Sequence, residues 1–444
     1  MRITLNEEAE FYASDKELSC EAAMSFGRAV GTVLCRSGRG NILVGRDTRR
    51  SAAAYGSAVS AGILSSGADV TDIGVVPRAA GVFLAKKLKV DGFVMIGEAD
   101  RKADFCGFAV YGSQGIRASF DICEKINREL SKLSLSDKGF GRLQIKNDGV
   151  SEYIIFILRN CGSGLSGMSI AADCANGSVS AAAEELFSAL GAKVYLLNCD
   201  PDGDNVNREC GLSSMDALCE FVTRKKCDFG VAFDAEGAKC LAVDEKGMQI
   251  DGERLTALFA VDMKERDSLA NNGVVISASA NLGFSVFAEK NGIKAVSTKS
   301  GGRYIIEKMT AGHYSLGGEQ SGNIIFGSIS RESDGLLTAV KLISAVSRSG
   351  KKLSQLCSVM EKYPQVAINV KIPDRWRENW KNIPELEEFI ESRENELGGS
   401  GRIVVREKPS EPVIRVSVEG RHFDAVNSMA LQIAEAVKRF CPTG

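Results

Sequence analysis

Strand-like and helix-like runs alternate along this chain, and the alternation restarts twice. In the first set, NILVGRD, ADVTDIG and DGFVMIG have the apolar, β-branched composition of buried strands, and the runs RRSAAAYGSAVSAGILSSG and PRAAGVFLAKKLK between them look helical. Strands that alternate with helices build mainly parallel sheets covered by helices on both faces. The chain is therefore expected to form α/β layers.

Two further sets and a different C-terminal segment complete the pattern. MSIAADCANG, AKVYLLN and FGVAFDAEG surround the helical run SVSAAAEELFSALG, and GVVISASAN, IKAVSTKSG and SGNIIF form the third set. From about Pro373 the chain has a charged helical stretch, DRWRENWKNIPELEEFIESRENELGGSG, then two strand-like runs and a closing helix. We predict three doubly wound α/β domains with mixed sheets, over 1–150, 151–250 and 251–368, and a small C-terminal α+β domain over 369–444.

Composition excludes several classes of function. Lys+Arg 55 against Asp+Glu 57 leaves a net charge of -2, so no bulk field attracts nucleic acid or an anionic membrane. No apolar run approaches the length of a membrane span, and the first residues do not resemble a signal peptide, so we expect a cytoplasmic protein. The 13 cysteines stand singly and the two histidines, His313 and His422, are too few for a histidine-based metal cage.

The loop after DGFVMIG is the first candidate site. In open α/β sheets, ligands bind just beyond the carboxyl ends of strands. This loop begins GEADRKAD, with five charged side chains but no Ser, Thr or His, and Cys106 is the thiol nearest to it. It is either a site or the remains of one, and other motifs decide between these interpretations.

Five phrases, in the order VGRDTRRS, DCANGS, VDEKGMQIDGERL, GGRYIIEKM and LGGEQSGNIIF, carry a resemblance to a known family. The chain resembles the α-D-phosphohexomutases, most of all their phosphoglucosamine mutase branch, over nearly its whole length. The family implies a phosphoserine that exchanges phosphate with a hexose monophosphate, assisted by Mg²⁺. Four loops do this work: a serine loop like SASHNP with NGxK, a metal loop like DGDGDR, a GE(Q)SG sugar loop and a Ser-Gly-Thr phosphate clamp.

The serine loop of this chain lacks the nucleophile that the resemblance implies. Aligned without gaps, Ala99 stands at the phosphoserine position, and Asp100 and Arg101 replace the His-Asn beside it. Ala109 replaces the lysine of NGxK. A methyl group cannot hold or pass a phosphoryl group.

The metal loop is also altered. Asp234 and Glu236 stand at two of the three ligand positions, Ala238 at the third, and Lys239 replaces the arginine. Because Mg²⁺ demands near-octahedral oxygen coordination, we expect a weak magnesium site at best, with an ordinary acidic turn as the other interpretation.

The two remaining loops differ in how much they keep. Glu319 and Ser321 retain the sugar-binding motif, with Asn323 in place of the usual histidine. In the clamp, Pro409 replaces a glycine and removes an N–H donor. Four residues of the clamp are still expected to bind phosphate. These four are Arg406, Lys408, Ser410 and Arg415. The N-terminal segment ITLNEEAEF brings glutamates where the family has a phosphate-facing arginine.

These changes predict a catalytically inactive member of the family. Its expected role is to bind a hexose or hexosamine phosphate, or a protein partner such as a catalytic relative, as a homodimer. The alternative is an active mutase that uses Glu98 or Asp100 as a substitute nucleophile, because carboxylates can form acyl phosphates. Arg46 and Arg49, unusual beside a positive helix terminus, are expected to brace the first loop.

Overall fold

A computed structural model describes residues 3–35, 40–98, 100–132, 139–161, 167–376, 379–398, 401–408 and 411–442, with the backbone alone at 408 and 411. The chain forms two compact units. The larger comprises Met1–Ala278 and Val296–Val359, and the smaller comprises Ser279–Ala295 and Met360–Gly444. Among the described residues, no helix has both the length and the apolar character needed to cross a membrane.

The first sheet is mixed. Its strands are β1 (Glu10–Ser14), β2 (Asn41–Arg46), β3 (Asp69–Val75), β4 (Gly92–Gly97), β5 (Phe105–Tyr111) and β6 (Leu143–Ile145), in the order β1-β5-β4-β2-β3-β6. The helices of this segment are α1 (Cys20–Leu34), α2 (Arg50–Ser65), α3 (Arg78–Leu88), α4 (Phe120–Glu129) and α5 (Gly149–Arg159). Strand β2 runs parallel to β3 and β4, whereas β5 is antiparallel to β4 and to β1. The candidate loop therefore joins two antiparallel neighbours.

Helices α1 and α2 pack closely because small residues face each other. A Cβ on Gly27 would lie 2.0 Å from the carbonyl oxygen of Val59, and one on Gly62 would lie 2.0 Å from that of Met24. Helix α1 begins at Ser19, whose hydroxyl accepts a hydrogen bond from the amide of Ala22 at 3.3 Å. The glycines set the helix spacing that supports β2 and the loops beyond it.

The second sheet contains β7 (Ser169–Asp173), β8 (Lys193–Leu197), β9 (Phe229–Phe233), β10 (Cys240–Asp244) and β11 (Gln249–Ile250), in the order β11-β10-β9-β7-β8. Its helices are α6 (Ala183–Ala189), α7 (Asp216–Lys225) and α8 (Gly252–Glu265). The sequence predicted one helix over the run SVSAAAEELFSALG, and this prediction is wrong, because a separate 3-10 turn over Ser178–Ala181 precedes α6. The amide and hydroxyl of Ser178 both donate to the carbonyl of Ala235, which holds this first turn against the loop after β9.

The third sheet contains β12 (Gly273–Ser277), β13 (Lys294–Thr298), β14 (Leu316–Gly318) and β15 (Ile324–Phe326), in the order β13-β12-β14-β15. The helices of this segment are α9 (Leu282–Lys290), α10 (Gly302–Gly312), α11 (Gly335–Ser349) and α12 (Leu353–Cys357). Strand β14 is parallel to β12 and antiparallel to β15. The tight turn between β14 and β15 therefore carries the GGEQSG motif.

The C-terminal segment has an antiparallel sheet of β16 (Gln365–Lys371), β17 (Gly401–Lys408) and β18 (Glu411–Gly420), in the order β16-β18-β17. Helices α13 (Pro384–Leu397) and α14 (Phe423–Phe440) complete it. The charged stretch has short 3-10 turns at Asp374–Trp376 and Trp380–Asn382 and becomes α-helical at Pro384. Proline suits the first turn of a helix and disfavours helical geometry at Ile383 before it. Three α/β domains with mixed sheets and a small α+β domain confirm the predicted fold class, while the predicted domain boundaries stay a prediction.

Candidate functional site

A cleft of about 370 Å³ opens in the larger unit, beyond the C-terminal ends of β4 and β9. The described residues that line it come from β1 and the segment before it, the β4–β5 connection, β5 and the segment after it, and the start of α3. Others come from the loop after β9, the start of α10, the β14–β15 turn and the segment before α11. They are Glu8, Glu10, Phe11, Tyr12, Arg78, Gly97, Glu98, Asp100, Arg101, Phe108, Ala109, Arg117, Glu236, Lys239, Gly301, Gly302, Asn323, Glu332 and Ser333. Several loops singled out in the sequence therefore share one cavity.

The loop after β4 holds the two carboxylates suggested as substitute nucleophiles. Ala99 itself lies outside the described residues. The carboxylate of Asp100 accepts hydrogen bonds from Lys239 Nζ at 2.7 and 2.6 Å. Glu98 accepts a hydrogen bond from the amide of Arg101, and burial raises the pKa of Glu98. Both carboxylates are thus engaged by groups of this chain.

Arg49 braces this loop, as expected, whereas the ion-pair partner of Arg46 lies on a neighbouring strand. Arg49 forms a fully buried ion pair with Asp47 and donates to the carbonyl of Arg101 at 2.5 Å. Burial raises the pKa of Asp47, although Arg49 opposes the shift. Arg46 lies 3.7 Å from Asp72 instead. The loop conformation therefore rests on a buried pair.

The loop after β9 carries the two predicted metal ligands. Asp234 Oδ1 accepts the amide of Lys239 at 3.0 Å, and its buried Oδ2 has no hydrogen-bond partner within the described ranges. Burial raises the pKa of Asp234 to about 6. Glu236 is ion-paired with Arg78, and burial raises its pKa to about 8 even though Arg78 lowers it. Ala238 is buried and adds only a methyl group.

Two buried arginines link carboxylates from distant segments. Arg78 pairs with Glu236 and lies 3.3 Å from Glu10 Oε1, which Arg117 also contacts at 2.8 Å. Arg117 Nη2 also forms an ion pair with Glu332 Oε2 at 3.3 Å. Burial works to raise the pKa of Glu10, but the two arginines lower it below its usual range. We call this series, Glu236–Arg78–Glu10–Arg117–Glu332, the cleft ion-pair chain.

The charges of the cleft do not suit a phosphorylated substrate. Its described lining carries six carboxylates and four cationic side chains, which gives a net charge of −2 when all are ionised. Three of the four cations, Arg78, Arg117 and Lys239, are in ion pairs with carboxylates. A phosphate bound at any of these three cations would break a pair and leave a carboxylate without its partner, which is costly for buried charges. The fourth cation, Arg101, stacks on the rings of Tyr12 and Phe105.

The residues at the family's metal loop do not fit Mg²⁺. Asp234 Oδ2 has no hydrogen-bond partner among the described residues and could bind a metal ion, but Glu236 is ion-paired with Arg78. The positive ammonium group of Lys239 belongs to the same loop. Magnesium needs several oxygen ligands at close, near-octahedral positions. Among the described residues, no group of three or more His, Cys, Asp or Glu side chains is arranged to hold a metal ion.

Ala109, at the position of the family's lysine, is buried within β5. It pairs with Glu10 of β1 on one side and Met95 of β4 on the other. An apolar methyl group therefore stands beside the cleft ion-pair chain, and no amine is available there for proton transfer.

The GGEQSG turn keeps its shape through its own hydrogen bonds. Glu319 Oε1 accepts the amide of Gly301 at 2.8 Å, and its Oε2 accepts Asn323 Nδ2 at 3.0 Å. Asn323 Nδ2 also lies 3.4 Å from Ser321 Oγ. Asn323, which replaces the usual histidine, lines the cleft and joins the two predicted sugar-binding residues.

The smaller unit contains the predicted phosphate clamp. Arg406 of β17 and Arg415 of β18 are directly opposite each other, and Arg415 Nε is buried without a hydrogen-bond partner among the described residues. Like charges at opposite positions of paired strands are destabilising, so an anion between them would relieve the repulsion. The side chain of Lys408 and all of Ser410 lie outside the described residues.

Sequence models of phosphoglucomutase/phosphomannomutase match the chain in four consecutive parts. The α/β/α domains I, II and III match residues 11–137, 151–247 and 251–363, and the C-terminal domain matches 368–436. A solved phosphoglucomutase/phosphomannomutase family protein from Burkholderia thailandensis has the same fold, with a TM-score of 0.82 and 21% identity over 99% of this chain and 98% of that one.

Relatives with higher sequence identity indicate the branch of the family to which the chain is most similar. Phosphoglucosamine mutase of Clostridium acetobutylicum is 38% identical over 436 residues, and that of Clostridium novyi is 35% identical over 431, each covering 96% of both chains. The chain belongs to the α-D-phosphohexomutase superfamily. Within it, the chain is most like phosphoglucosamine mutase.

Sequence reasoning missed the residues that make up most of the cleft ion-pair chain. Arg78, Arg117 and Glu332 were not singled out. A signal existed for Arg78, which is the first residue of α3, where the positive end of the helix dipole disfavours a cation. An arginine there implies a nearby carboxylate. No comparable local signal marks Arg117 or Glu332, because their partners are distant in sequence.

Proposed function

We propose that this chain is a non-catalytic phosphohexomutase, which binds rather than converts its ligand. The observation that carries the proposal is the cleft ion-pair chain, which directs Arg78 and Arg117 to carboxylates of the chain itself. Phosphoryl transfer needs positive groups that stabilise the developing charge of the transferring phosphate. Here those groups are neutralised by Glu236, Glu10 and Glu332.

The proposal also rests on the missing nucleophile and on the altered metal loop. Ala99 provides no oxygen for a phosphoenzyme, and Mg²⁺ is expected to bind weakly or not at all because Glu236 is paired with Arg78. The alternative, an acyl phosphate on Glu98 or Asp100, is disfavoured by the two hydrogen bonds from Lys239 to Asp100. We place the protein in the cytoplasm, where its free thiols would stay reduced.

The test is phosphoryl transfer from a hexose 1,6-bisphosphate, followed by intact mass. We expect no added phosphate on the wild-type chain, with or without Mg²⁺. An added phosphate that Asp100→Asn or Glu98→Gln abolishes would establish the acidic nucleophile and refute the non-catalytic role. A catalytic phosphoglucosamine mutase, treated in parallel, confirms that the donor is competent.

A second candidate function is retained binding of hexosamine phosphate, which the facing Arg406 and Arg415 favour. Charge-assisted hydrogen bonds each contribute roughly 1.5–3 kcal/mol, so a clamp with fewer donors should bind glucosamine 6-phosphate with a Kd of about 0.1–1 mM. Calorimetry should detect this binding, and Arg415→Ala should weaken it. Arg393→Ala, which changes a cation of α13 in the same unit, should have no effect.

A partner-binding role predicts the opposite outcome. If the titration is flat at millimolar ligand while the chain forms a stable complex with a catalytic relative or with a second copy, the sugar-phosphate role is wrong. Size-exclusion chromatography of the chain alone and of a mixture with a phosphoglucosamine mutase separates the homodimer from the mixed complex. The GGEQSG turn would then serve packing alone.

A further inference from the structure

Two cysteines of the second sheet lie together outside the cleft. Cys174 follows β7 and Cys199 follows β8, and the adjacent parallel strands bring their ends side by side. The amide of Cys174 donates to the carbonyl of Leu197 at 3.0 Å, and the Cys199 thiol interacts with the Cys174 thiol, whose Sγ also lies 4.0 Å from the carbonyl oxygen of Ala172. Cys174 is buried and Cys199 is half-buried, so one thiol of the pair reaches solvent.

The backbone around this pair is strained. Ala175 and Asn176, just after Cys174, have φ of 55° and 49°, and Asn198, just before Cys199, has φ of 48°. The left-handed region is unfavourable for Ala175, whose Cβ crowds the backbone, whereas asparagine adopts it more readily. Strained backbone is maintained where the surrounding structure requires it, and here it lies directly beside both thiols.

The electrostatics separate the two sulfurs into different roles. The neighbouring Cys174 thiol lowers the pKa of Cys199 to about 7, whereas Cys199 and burial raise the pKa of Cys174 well above its usual range. A thiolate is the nucleophilic form of cysteine, so Cys199 is the reactive partner and Cys174 remains a protonated thiol beside it.

We propose that Cys199 and Cys174 are a peroxide-sensitive dithiol, with Cys199 the attacking sulfur and Cys174 the resolving one. The Cys199 thiolate attacks one oxygen of a hydroperoxide, the O–O bond breaks, and the leaving oxygen takes up a proton. The product is a sulfenic acid on Cys199. The sulfur of Cys174 then displaces its hydroxyl group, which leaves as water with the Cys174 proton, so two thiols become one disulfide.

Oxidation here would reach the loop of the candidate site through hydrogen bonds. The amide of Asn207 donates to the carbonyl of Ala175 at 3.0 Å, and Asn207 Nδ2 donates to the carbonyl of Arg101 at 2.8 Å. Arg101 belongs to the loop after β4. The dithiol is therefore connected to the cleft by one residue, although its chemistry does not depend on what the cleft binds.

Peptide mapping of the full chain tests the proposal directly. The reduced protein is treated with a small molar excess of hydrogen peroxide at pH 7, alkylated and digested with trypsin. We expect a link between the peptides Asn160–Lys193 and Val194–Arg208, reversed by dithiothreitol. Absence of this link, or a link from Cys174 to Cys210 instead, would overturn the assignment.

Single substitutions assign the sulfurs. Cys161→Ser is the matched control, because Cys161 is in the same tryptic peptide as Cys174, and the link should survive. Cys174→Ser should abolish it and leave a sulfenic acid on Cys199 that dimedone traps. A link that persists in Cys174→Ser would contradict the pairing.

Reactivity of the wild-type chain supplies a test that needs no variant. At pH 7, iodoacetamide should modify Cys199 roughly fivefold faster than Cys219, which is equally half-buried but whose pKa burial raises. Equal rates would refute the activation of Cys199.

Discussion

Replacing Arg78 by methionine tests whether the cleft ion-pair chain holds its carboxylates in place. Arg78→Met keeps most of the side-chain volume but leaves Glu236, which is 1% exposed, without its ion-pair partner. Removing one partner of a buried ion pair typically costs about 3–5 kcal/mol. We expect a loss toward the lower end of this range at pH 9, where the paired Glu236 is mostly ionised because its pKa is about 8, and a smaller one at pH 5.5, where burial keeps Glu236 protonated.

The assay is thermal unfolding followed by far-ultraviolet circular dichroism, because both tryptophans are in the smaller unit and would not report on the larger one. Adding Glu236→Gln to Arg78→Met should restore at least half of the lost stability at pH 9, since it removes the carboxylate left without its partner. The matched control is Arg50→Met. Arg50 is likewise the first residue of its helix, but its pair with Asp204 is exposed to solvent and should contribute little to stability. Equal losses for Arg50→Met and Arg78→Met, or no rescue, would refute the reasoning.

Three further outcomes follow from the altered loops. The pKa of Glu236 is about 8 in the folded chain against an ordinary 4.5, so the folded state binds this proton more tightly than the unfolded state. The free energy of unfolding should therefore fall as pH rises from 5 through 8. Melting curves of Glu236→Gln should show a smaller fall, and an unchanged slope would contradict this. Calorimetry with Mg²⁺ should give no heat at submillimolar metal, and a tight magnesium site would contradict the pairing of Glu236 with Arg78. Ala99→Ser should not restore mutase activity, because one member of a catalytic unit gains little alone, and a rescue above background would show the remaining loops to be competent.

The sequence predicted the fold class because the three sets of strands and helices carry local patterns that tertiary packing leaves intact. Strand β5 was missed, since FCGFAVY is almost wholly buried and shows no alternation of polar and apolar residues. The break before α6 was missed because it depends on Ser178 bonding to Ala235, a contact between distant segments.

The candidate site was only partly predictable for the same reason. Motif comparison located the loops with Ala99, Asp234 and Glu319, because each is a short contiguous phrase. The cleft ion-pair chain joins Arg117 to Glu332, 215 positions apart, and no local pattern encodes such a partner. The resemblance indicated what the loops had lost, and the structure was needed to find what replaced it.

The most direct measurement is interconversion of glucosamine 6-phosphate and glucosamine 1-phosphate by the purified wild-type chain, with Mg²⁺ and a hexose 1,6-bisphosphate as activator. The ion-paired cleft and the alanine at position 99 predict no conversion above background, while a catalytic phosphoglucosamine mutase is active in the same mixture. Turnover in the ordinary enzyme range of about 1–1000 per second would contradict the non-catalytic role.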